Sequence, residues 1–390
     1  MKVGMILDGL FPTDARVERE ALALIAEGHE VHLWAFTKDP KKKFEEYNGI
    51  KVHYAHRNNL IYKASAMAID WPIYHLLLRK HVQSFLKNQF DVIHVHDMTI
   101  AGLVMKLKKS EKLVLDLHEN RPEIMRYYPH LKRFPTNILI NLDRWKRAEM
   151  SYIKKSDAVI VVTKEAAEYY GKANSNYCVV PNTAELATID AIPIDQSLVD
   201  RYKDNFVVLY IGDLGSRRGI YELIEAADLL EDQIPELKVV MVGDSSERPS
   251  YEQLVDQKNL QDFVDFEGFQ PHDLLFSYIK AANVGTSPLW RNIHHDTTFA
   301  NKVFQYMSLG LPQVVSDCPA QENVVEECNA GLIHTSKVPQ DLADKIYDLY
   351  ANPEKAETLG LSARKSMEEI WDWKYKKQAL VNLYRGFQAD

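Results

Sequence analysis

The residues best suited to chemistry lie in a glycine-containing loop of the second half. After the apolar run Phe206–Ile211 comes the segment Gly212–Gly219, which reads GDLGSRRG. Glycines before a helix let backbone N–H groups approach a phosphate closely, and the guanidinium of Arg218 can hold a diphosphate through paired hydrogen bonds. The loop therefore predicts a phosphate-binding site, although a surface arginine pair beside an ordinary turn would give the same sequence pattern.

A second feature of this kind begins at Asn301. The stretch Asn301–Asp317 reads NKVFQYMSLGLPQVVSD. It predicts a helix, a stop at Gly310 and Pro312, and a short buried strand. The polar residues 294–300 before it predict a loop that leads into a helix N-terminus at the carboxyl edge of a sheet. Free backbone N–H groups and the helix dipole favour a phosphate there.

Polar residues also end two apolar runs of the first half. His96-Asp97 closes one run and His118-Glu119 closes the next. In parallel sheets ligands sit beyond the carboxyl ends of the strands, so these pairs indicate a ligand-binding edge. A single histidine in such a place is often structural. Metal binding by His94, His96 and His118 is the alternative, but no third-ligand spacing typical of zinc accompanies them.

The elements that must position these residues alternate along the chain. Val3–Leu7 predicts a strand, the apolar spacing from Val17 to Ile25 predicts a helix, and Val31–Ala35 predicts a second strand. This order is a βαβ unit of a parallel sheet. The rhythm restarts at residue 206, after a proline-containing stretch at 174–199 that predicts a linker. We therefore expect an α/β fold with two domains.

Composition and charge narrow the class of protein. The chain has 390 residues, 46% hydrophobic and 26% charged, as in soluble globular proteins. Residues 1–190 hold 28 basic against 23 acidic residues, and residues 191–390 hold 19 against 32, which sums to −8. We expect no nucleic-acid binding, because the basic residues do not form a dense patch interleaved with aromatics. Scattered cysteines, no apolar run long enough to span a bilayer and no signal-peptide core predict a cytoplasmic location.

Several of these segments resemble the family-4 retaining glycosyltransferases (glycosyl transferases group 1). Many members carry NK-x-x-E-Y-M-x-x-G-x-P-V-V-x-S at the position of Asn301–Ser316, with Gln305 here in place of the glutamate. The opening D-x-R-V-x-R-E-A and the strand ends HxHD and D-x-H-E are also similar, and the resemblance covers about residues 1–385.

The resemblance implies the GT-B fold, with two Rossmann-like domains whose parallel sheets face across a cleft. We expect an acceptor-side domain at 1–180, a hinge at 181–197 and a nucleotide-sugar domain at 198–370. A last helix at 371–390 would cross back to the first domain. The implied activity is retaining transfer of a sugar, of the hexosyltransferase type, from a nucleoside-diphosphate sugar to an acceptor. Cell-surface polysaccharide or glycoconjugate synthesis is the expected setting.

The resemblance also implies site residues. His118 would position the sugar, while Arg218 and Lys302 would stabilise charge on the leaving diphosphate. No cofactor and no metal is expected, because a UDP- or GDP-linked donor is itself a substrate and the chain has no Asp-x-Asp motif. The residues expected to bind the donor are Gly9, Gly215, Arg217, Asp296, Thr297, Thr298, Phe299, Ala300, Asn301 and Gln305.

Departures from the family pattern keep alternatives open. Thr297 and Gln305 stand where the family has two glutamates, and Asp213 stands where some members have arginine. A catalytically inactive relative that binds a partner, or a sugar-nucleotide epimerase, are therefore competing interpretations. The acceptor could be lipid-linked. The basic first half, including the amphipathic segment Leu142–Arg147, could contact the inner face of a membrane.

Overall fold

The structure is a computed structural model that describes residues 1–128, 131, 133–134 and 136–389. The chain divides into two compact units. The first contains residues 1–181 together with 377–390, and the second contains residues 182–376. Lys132, in the basic sequence segment 131–134, lies outside the described residues.

The first unit is built on a twisted sheet. Its strands run in the order β3-β4-β2-β1-β5-β6-β7-β8; β3 pairs antiparallel with β4, and the other recorded pairs are parallel. Val3 of the central strand lies opposite Val31 on one side and Val92 on the other. The strands are β1 (Lys2–Leu10), β2 (Glu30–Thr37), β3 (Phe44–Tyr47), β4 (Ile50–His56), β5 (Val92–His96), β6 (Lys112–Leu117), β7 (Ala158–Val161) and β8 (Tyr177–Val179).

Helices cover this sheet with apolar faces. In the first helix, Val17, Ala21 and Leu24 are fully buried, as their spacing predicts, and Asp14 caps its N-terminus. The helices are α1 (Ala15–Ala26), α2 (Asn59–Ser65), α3 (Ile73–Leu86), α4 (Ala101–Leu107), α5 (Arg121–Met125), α6 (Thr136–Leu139), α7 (Leu142–Lys155) and α8 (Lys164–Tyr170). The expected basic helix at Leu142 is thus present as α7.

The second unit repeats the architecture on a parallel sheet with the order β11-β10-β9-β12-β13-β14. Its strands are β9 (Phe206–Ile211), β10 (Leu237–Val242), β11 (Val264–Gly268), β12 (Val284–Ser287), β13 (Gln313–Ser316) and β14 (Gly331–His334). Its helices are α9 (Leu186–Asp190), α10 (Gln196–Arg201), α11 (Ile220–Leu230), α12 (Arg248–Gln257), α13 (Leu274–Ala281), α14 (Ile293–Asp296), α15 (Asn301–Ser308), α16 (Pro319–Glu327), α17 (Pro339–Ala351) and α18 (Pro353–Ser366). The α/β fold with two parallel-sheet domains is confirmed.

The helix–stop–strand prediction at Asn301 is also confirmed. Helix α15 ends where Gly310 takes a positive φ of 68°, and β13 follows within three residues. The polar flank before it differs from expectation, because residues 293–296 form the short helix α14 rather than a loop. Asn292 explains the difference, since its side chain accepts from the backbone N–H of His295 at 3.0 Å and caps that turn.

The stretch expected to be a linker contains two short helices, α9 and α10. Asp195 caps the second through the backbone N–H groups of Ser197 and Leu198. Beyond a π-helical turn at Met367–Trp371, the last helix, α19 (Trp373–Ala389), carries the chain into the first unit. Its Leu380 and Tyr384 are fully buried.

Each sheet has a point where strand order reverses, between β1 and β5 in the first unit and between β9 and β12 in the second. Ligands of open parallel sheets bind beyond the carboxyl ends of the strands at such points. The segments at these ends are Asp8–Leu10 and His96–Asp97 in the first unit, and Gly212–Arg218 and Pro288–Leu289 in the second. The sequence-predicted residues therefore lie at the edges where ligands are expected.

Candidate functional site

The loop after β9 is held in one conformation by a glycine. Gly219 has φ 76°, and a Cβ at this position would lie 1.8 Å from the carbonyl oxygen of Pro288. Only glycine fits so close to another backbone. The preceding 3₁₀ turn is closed by a hydrogen bond of 2.8 Å from the N–H of Arg218 to Gly215. This arrangement fixes the position from which the side chain of Arg218 extends.

Lys302 lies beside this loop and is nearly buried, with 7% of the residue exposed. Its Nζ lies 3.3 Å from the centroid of the Tyr210 ring and 3.7 Å from the place a Cβ on Gly212 would occupy. Within the described part of the chain, Nζ has no hydrogen-bond acceptor. Burial, followed by the positive charge of Arg218, holds the pKa of Lys302 well below its usual value. A buried lysine whose Nζ has no hydrogen-bonded carboxylate among the described residues can take up a proton and bind an anionic ligand.

The Arg218 guanidinium has a weak internal partner. Its Nε lies 3.7 Å from Oδ2 of Asp213, whose side chain is 58% exposed and also accepts from the N–H of Gly215 at 3.1 Å. Nε is buried and, among the described residues, makes no hydrogen bond. Arg218 and Lys302 thus lie close enough at the carboxyl edge of the second sheet to interact electrostatically, with the exposed carboxylate of Asp213 beside Arg218.

Arg217 faces a histidine that sequence reasoning did not assign to the site. Its Nη1 lies 3.3 Å from Nε2 of His295, and Nδ1 of His295 lies 2.8 Å from the carbonyl oxygen of Trp290. Nδ1 therefore donates to this carbonyl, and Nε2 accepts from Arg217. Burial and the neighbouring cations lower the pKa of His295 to about 2. The imidazole stays neutral and orients Arg217 without adding charge.

His294 is also buried beside the arginines, which together with burial lower its pKa to about 3. The adjacent residues His294-His295-Asp296 could suggest a metal site, but His295 faces Arg217 and Trp290 whereas Asp296 pairs with Arg291, so these side chains diverge. Asp296 forms a two-point ion pair with Arg291, at 2.8 and 3.2 Å. The expected donor contact from the Asp296 carboxylate therefore competes with this ion pair.

The two threonines expected to bind the donor are turned toward α14. Oγ1 of Thr297 donates to the carbonyl of Ile293 at 2.7 Å, and Oγ1 of Thr298 donates to the carbonyl of His294 at 2.6 Å. These hydroxyls satisfy the end of a helix. Their contribution to a ligand would come from the backbone.

The start of α15 offers backbone donors. Ala300 is its N-cap and, in the part of the chain described, provides no side-chain cap. The next residue, Asn301, accepts through Oδ1 from Asn182 at 3.2 Å, and Gln305 is half-buried one turn later on the same face. The first N–H groups of α15 are therefore available to an anion beside Lys302.

The ring of Phe299, one of the residues expected to bind the donor, packs in the apolar core. Its ring packs edge-on against Phe304 at 5.2 Å and against Trp371 at 5.8 Å. It belongs to the apolar core under α15. We infer that Phe299 anchors the loop before Lys302 and that any ligand contact it makes is through its backbone.

In the first unit, Asp116 is the centre of the strand-edge cluster. Its two oxygens accept from Arg16, at 2.9 and 3.4 Å. Its Oδ2 also lies 3.1 Å from Nε2 of His118 and 3.1 Å from Nδ1 of His96. Although burial opposes it, the charge of Arg16, followed by that of His118, holds the pKa of Asp116 well below its usual range. The sequence feature that could have identified Asp116 as part of the site is its position two residues before His118, which places both side chains on the same face of an extended chain.

This carboxylate keeps His118 charged. Burial lowers the pKa of His118, but Asp116 and then Asp97 outweigh it and raise the pKa to about 9. Asp97 takes a left-handed conformation with φ 64°, and its Oδ1 accepts from the N–H of His118 at 3.3 Å. His118 is the member of the cluster with some exposure, at 17% of its side chain. It can present a positive N–H donor to a ligand.

The histidines considered as metal ligands belong to this same network. Nδ1 of His94 is 2.9 Å from the hydroxyl of Tyr384, and Glu20 is 3.0 Å from Arg16. Ligand atoms of Glu20, His94, His96 and Asp116 lie within 4.8 Å of one another. However, Arg16 already neutralises carboxylate charge inside the cluster, so its electrostatics favour a charge-balanced network over a divalent ion.

The end of β1 differs from the expected loop. Gly9 lies inside β1, which continues to Leu10, and Asp14 is used as the cap of α1 through the N–H groups of Arg16 and Val17, at 3.2 Å each. The residue that sequence reasoning missed is Asp8. It is hydrogen-bonded to Tyr74, and burial raises its pKa to about 6.

Comparison with known proteins identifies the family of this chain. The family model described as glycosyltransferase family 4 matches residues 15–187, and the model described as glycosyl transferases group 1 matches residues 194–366. The chain belongs to the group 1 glycosyltransferases. It is therefore a glycosyltransferase with the Rossmann-like GT-B architecture.

Relatives and solved structures cover most of this glycosyltransferase. The 2-deoxystreptamine N-acetyl-D-glucosaminyltransferase of Niallia circulans is 23% identical over 291 residues, which are 71% of this chain and 72% of the relative. Sucrose-phosphate synthase from Thermosynechococcus elongatus has a TM-score of 0.77 at 20% identity, covering 100% of this chain and 99% of that one. Anabaena HepE in complex with UDP-glucose has a TM-score of 0.71 at 17% identity, covering 99% and 100%. At these identities the two structures show the shared fold.

None of the helices in the described part of this glycosyltransferase is long and apolar enough to cross a lipid bilayer.

Proposed function

We propose that this glycosyltransferase moves a sugar from a nucleoside-diphosphate sugar to an acceptor hydroxyl with retention of configuration. The observation that carries the proposal is the pair of Arg218 and Lys302, two cations at the switch point of the second sheet, the second of them buried. HepE, a structural neighbour, was solved with UDP-glucose. A UDP- or GDP-linked donor supplies the anionic diphosphate that such a pair would bind, and no metal is needed for that charge.

Sugar transfer requires stabilisation of the negative charge that develops as one bond breaks. The bond between the anomeric carbon and the diphosphate oxygen breaks, and the electron pair leaves with the diphosphate. Arg218, Lys302 and the first N–H groups of α15 would stabilise that charge, as donors of an oxyanion hole do. The acceptor oxygen bonds to the anomeric carbon on the same face, and its proton goes to an oxygen of the leaving diphosphate.

Residues of the first unit would act on the sugar. In this proposal the protonated imidazole of His118 donates a hydrogen bond to the sugar, and Asp116 sets its charge and orientation.

Gln305 would accept from a ribose hydroxyl, a role in which an amide can replace a carboxylate without adding charge. Gly215 and Arg217 would approach the diphosphate through the loop after β9. Cell-surface polysaccharide or glycoconjugate synthesis remains the setting we propose.

The test is calorimetric titration of the protein with a panel of nucleoside diphosphates, followed by incubation of the tightest class as sugar conjugates. Binding that weakens in both Arg218→Ala and Lys302→Met supports the donor site. Release of nucleoside diphosphate only with an acceptor supports transfer, and NMR of the product reports the anomeric configuration. Binding without release would favour a protein that binds without turnover, and conversion of the free sugar nucleotide would favour an epimerase.

A further inference from the structure

Large apolar side chains are exposed together at one place on the first unit. Trp71 is 45% exposed, Ile73 48%, Leu76 64% and Ile138 73%. Trp71 and Ile73 flank the start of α3, where Leu76 follows on the next turn, and Ile138 lies in α6. The indole Nε1 of Trp71 donates to the carbonyl of Leu139 at 3.1 Å, which joins the two segments. We call these four residues the Trp71 surface.

The fold holds this surface in place with a buried carboxylate. Asp70 accepts from the indole N–H of Trp145 at 2.9 Å and from the N–H of Asn141 at 3.2 Å. Arg144 donates to the carbonyl of Asp70 at 3.3 Å. These bonds connect the turn before α3 to the start of α7. The exposed Trp71 is therefore presented by a built scaffold.

Cations surround the apolar residues. A pocket of about 310 Å³ between α3 and α4 is lined by Trp71, His75, Leu76, Arg79 and Lys106. Arg79 and Lys106 are exposed, as is Arg144 beside the Trp71 turn. The lining combines apolar side chains with Arg79 and Lys106, and its one carboxylate, Asp70, is already paired with Arg144 at 3.5 Å and with the indole N–H of Trp145. That combination fits a phosphate carried on an apolar body.

We propose that the Trp71 surface docks this protein on an anionic phospholipid bilayer. Trp71, Ile73, Leu76 and Ile138 would enter the boundary between headgroups and acyl chains, and Arg79, Lys106 and Arg144 would contact lipid phosphates. Tryptophan and long cationic side chains favour that boundary, because each has an apolar part and a polar end. A second copy of the chain fits less well, since pairing this face with itself would bring like charges together.

The proposal goes beyond sugar transfer and does not depend on it. The Trp71 surface lies on the first unit, whereas Arg218 and Lys302 lie on the second. Its test reads lipid binding without donor or acceptor. Failure of one proposal would leave the other unaffected.

The experiment is co-sedimentation of the full chain with vesicles of phosphatidylcholine alone or mixed with phosphatidylglycerol, at low and high salt. We expect binding to the anionic vesicles that weakens with salt. Leu76→Ser/Ile138→Ser should lower the partition coefficient about tenfold or more. Arg79→Glu/Lys106→Glu should lower it about thirtyfold or more, because each basic residue near the surface contributes roughly 1 kcal/mol.

Matched controls lie on the second unit. Phe269 is 85% exposed, so Phe269→Ser removes an equally exposed apolar group, and Lys203→Glu/Lys365→Glu reverses two exposed charges. Both controls should bind vesicles as the unmodified protein does. Quenching of tryptophan fluorescence by brominated lipid should be lost in Trp71→Phe, which keeps an apolar ring.

Three results would overturn the proposal. The first is no binding to anionic vesicles. The second is equal loss of binding in the controls, which would indicate non-specific adsorption. The third is a dimer in sedimentation velocity that Leu76→Ser/Ile138→Ser dissociates, which would assign the surface to a second copy of the chain.

Discussion

Replacing Lys302 by methionine tests whether this lysine binds a ligand or only stabilises the fold. Methionine keeps the apolar stem that packs near Tyr210 and removes the ammonium. A charged hydrogen bond contributes about 1.5–3 kcal/mol. Lys302→Met should therefore weaken binding of the preferred nucleoside diphosphate roughly 10- to 150-fold. No protein carboxylate hydrogen-bonded to Nζ is recorded in the described residues, so the change strands no protein anion.

The same substitution should not destabilise the ligand-free protein. The pKa of Lys302 is lowered in the folded state, so its charged form disfavours folding at every pH below the ordinary lysine value of about 10.4. Removing the ammonium relieves this penalty. We expect the thermal midpoint of Lys302→Met without ligand to be equal to or above that of the unmodified protein, with the difference shrinking as pH rises toward the ordinary lysine pKa of about 10.4 and absent above it.

The assays are isothermal titration with nucleoside diphosphate and thermal unfolding without ligand. Lys376 provides a matched control, since its Nζ lies 3.9 Å from the Trp371 ring and burial lowers its pKa as well. Lys376→Met should leave nucleotide affinity unchanged. A Lys302→Met protein that binds nucleotide normally, or that unfolds at a lower temperature while Lys376→Met does not, would refute the reasoning.

Three further predictions concern Asp213, Gly219 and Asp116. Asp213→Asn should tighten nucleotide binding several-fold in titration, because the carboxylate 3.7 Å from Arg218 competes with phosphate while an amide oxygen can still accept from Gly215; unchanged or weaker binding would contradict this. Gly219→Ala should lower the free energy of unfolding, measured in urea, by roughly 2–4 kcal/mol, because the new Cβ would overlap the Pro288 carbonyl. Gly386→Ala is the control: a Cβ there would meet no atom of another described residue within 4 Å, so this change should be neutral or stabilising. Asp116→Asn should lower the pKa of His118 from about 9, so the alkaline limb of the pH–rate profile should move to lower pH. In the unmodified protein, the stability contributed by protonated His118 is complete below its unfolded pKa of about 6.5 and is lost as pH rises through about 9. This loss of stability should vanish in the variant.

Much of the scaffold follows from local pattern. The run Phe206–Ile211 and the stretch Asn301–Ser316 form the predicted elements because buried strands are apolar and Gly310 can take a positive φ. An Arg16–Glu20 ion pair forms in α1 at the i,i+4 spacing that favours such pairs on a helix. Local periodicity carries this information, so the sequence alone predicts it.

The site is less predictable because its contacts join residues far apart in the chain. The neighbours of Arg217 and Lys302 include His295 and Tyr210, about 80 and 90 residues away, and no spacing rule connects them. Asp116 reads as an ordinary strand residue until Arg16 and His118 are seen around it. The hydrogen bonds from the hydroxyls of Thr297 and Thr298 to α14 could not be predicted, because they depend on the cap that Asn292 provides for that helix.

The central claim is that a diphosphate binds the buried ammonium of Lys302. It is tested most directly by titrating the protein with its sugar nucleotide in buffers of different ionisation enthalpy, between about pH 7 and 10. The diphosphate of a sugar nucleotide stays fully ionised there, whereas His118, with a pKa of about 9, also titrates in this range, so the part of the proton uptake that Lys302→Met removes reports the lysine. We expect equal uptake by the unmodified protein and by Lys376→Met, and clearly less by Lys302→Met. Binding without proton uptake across this range, or the same uptake in Lys302→Met, would contradict the account.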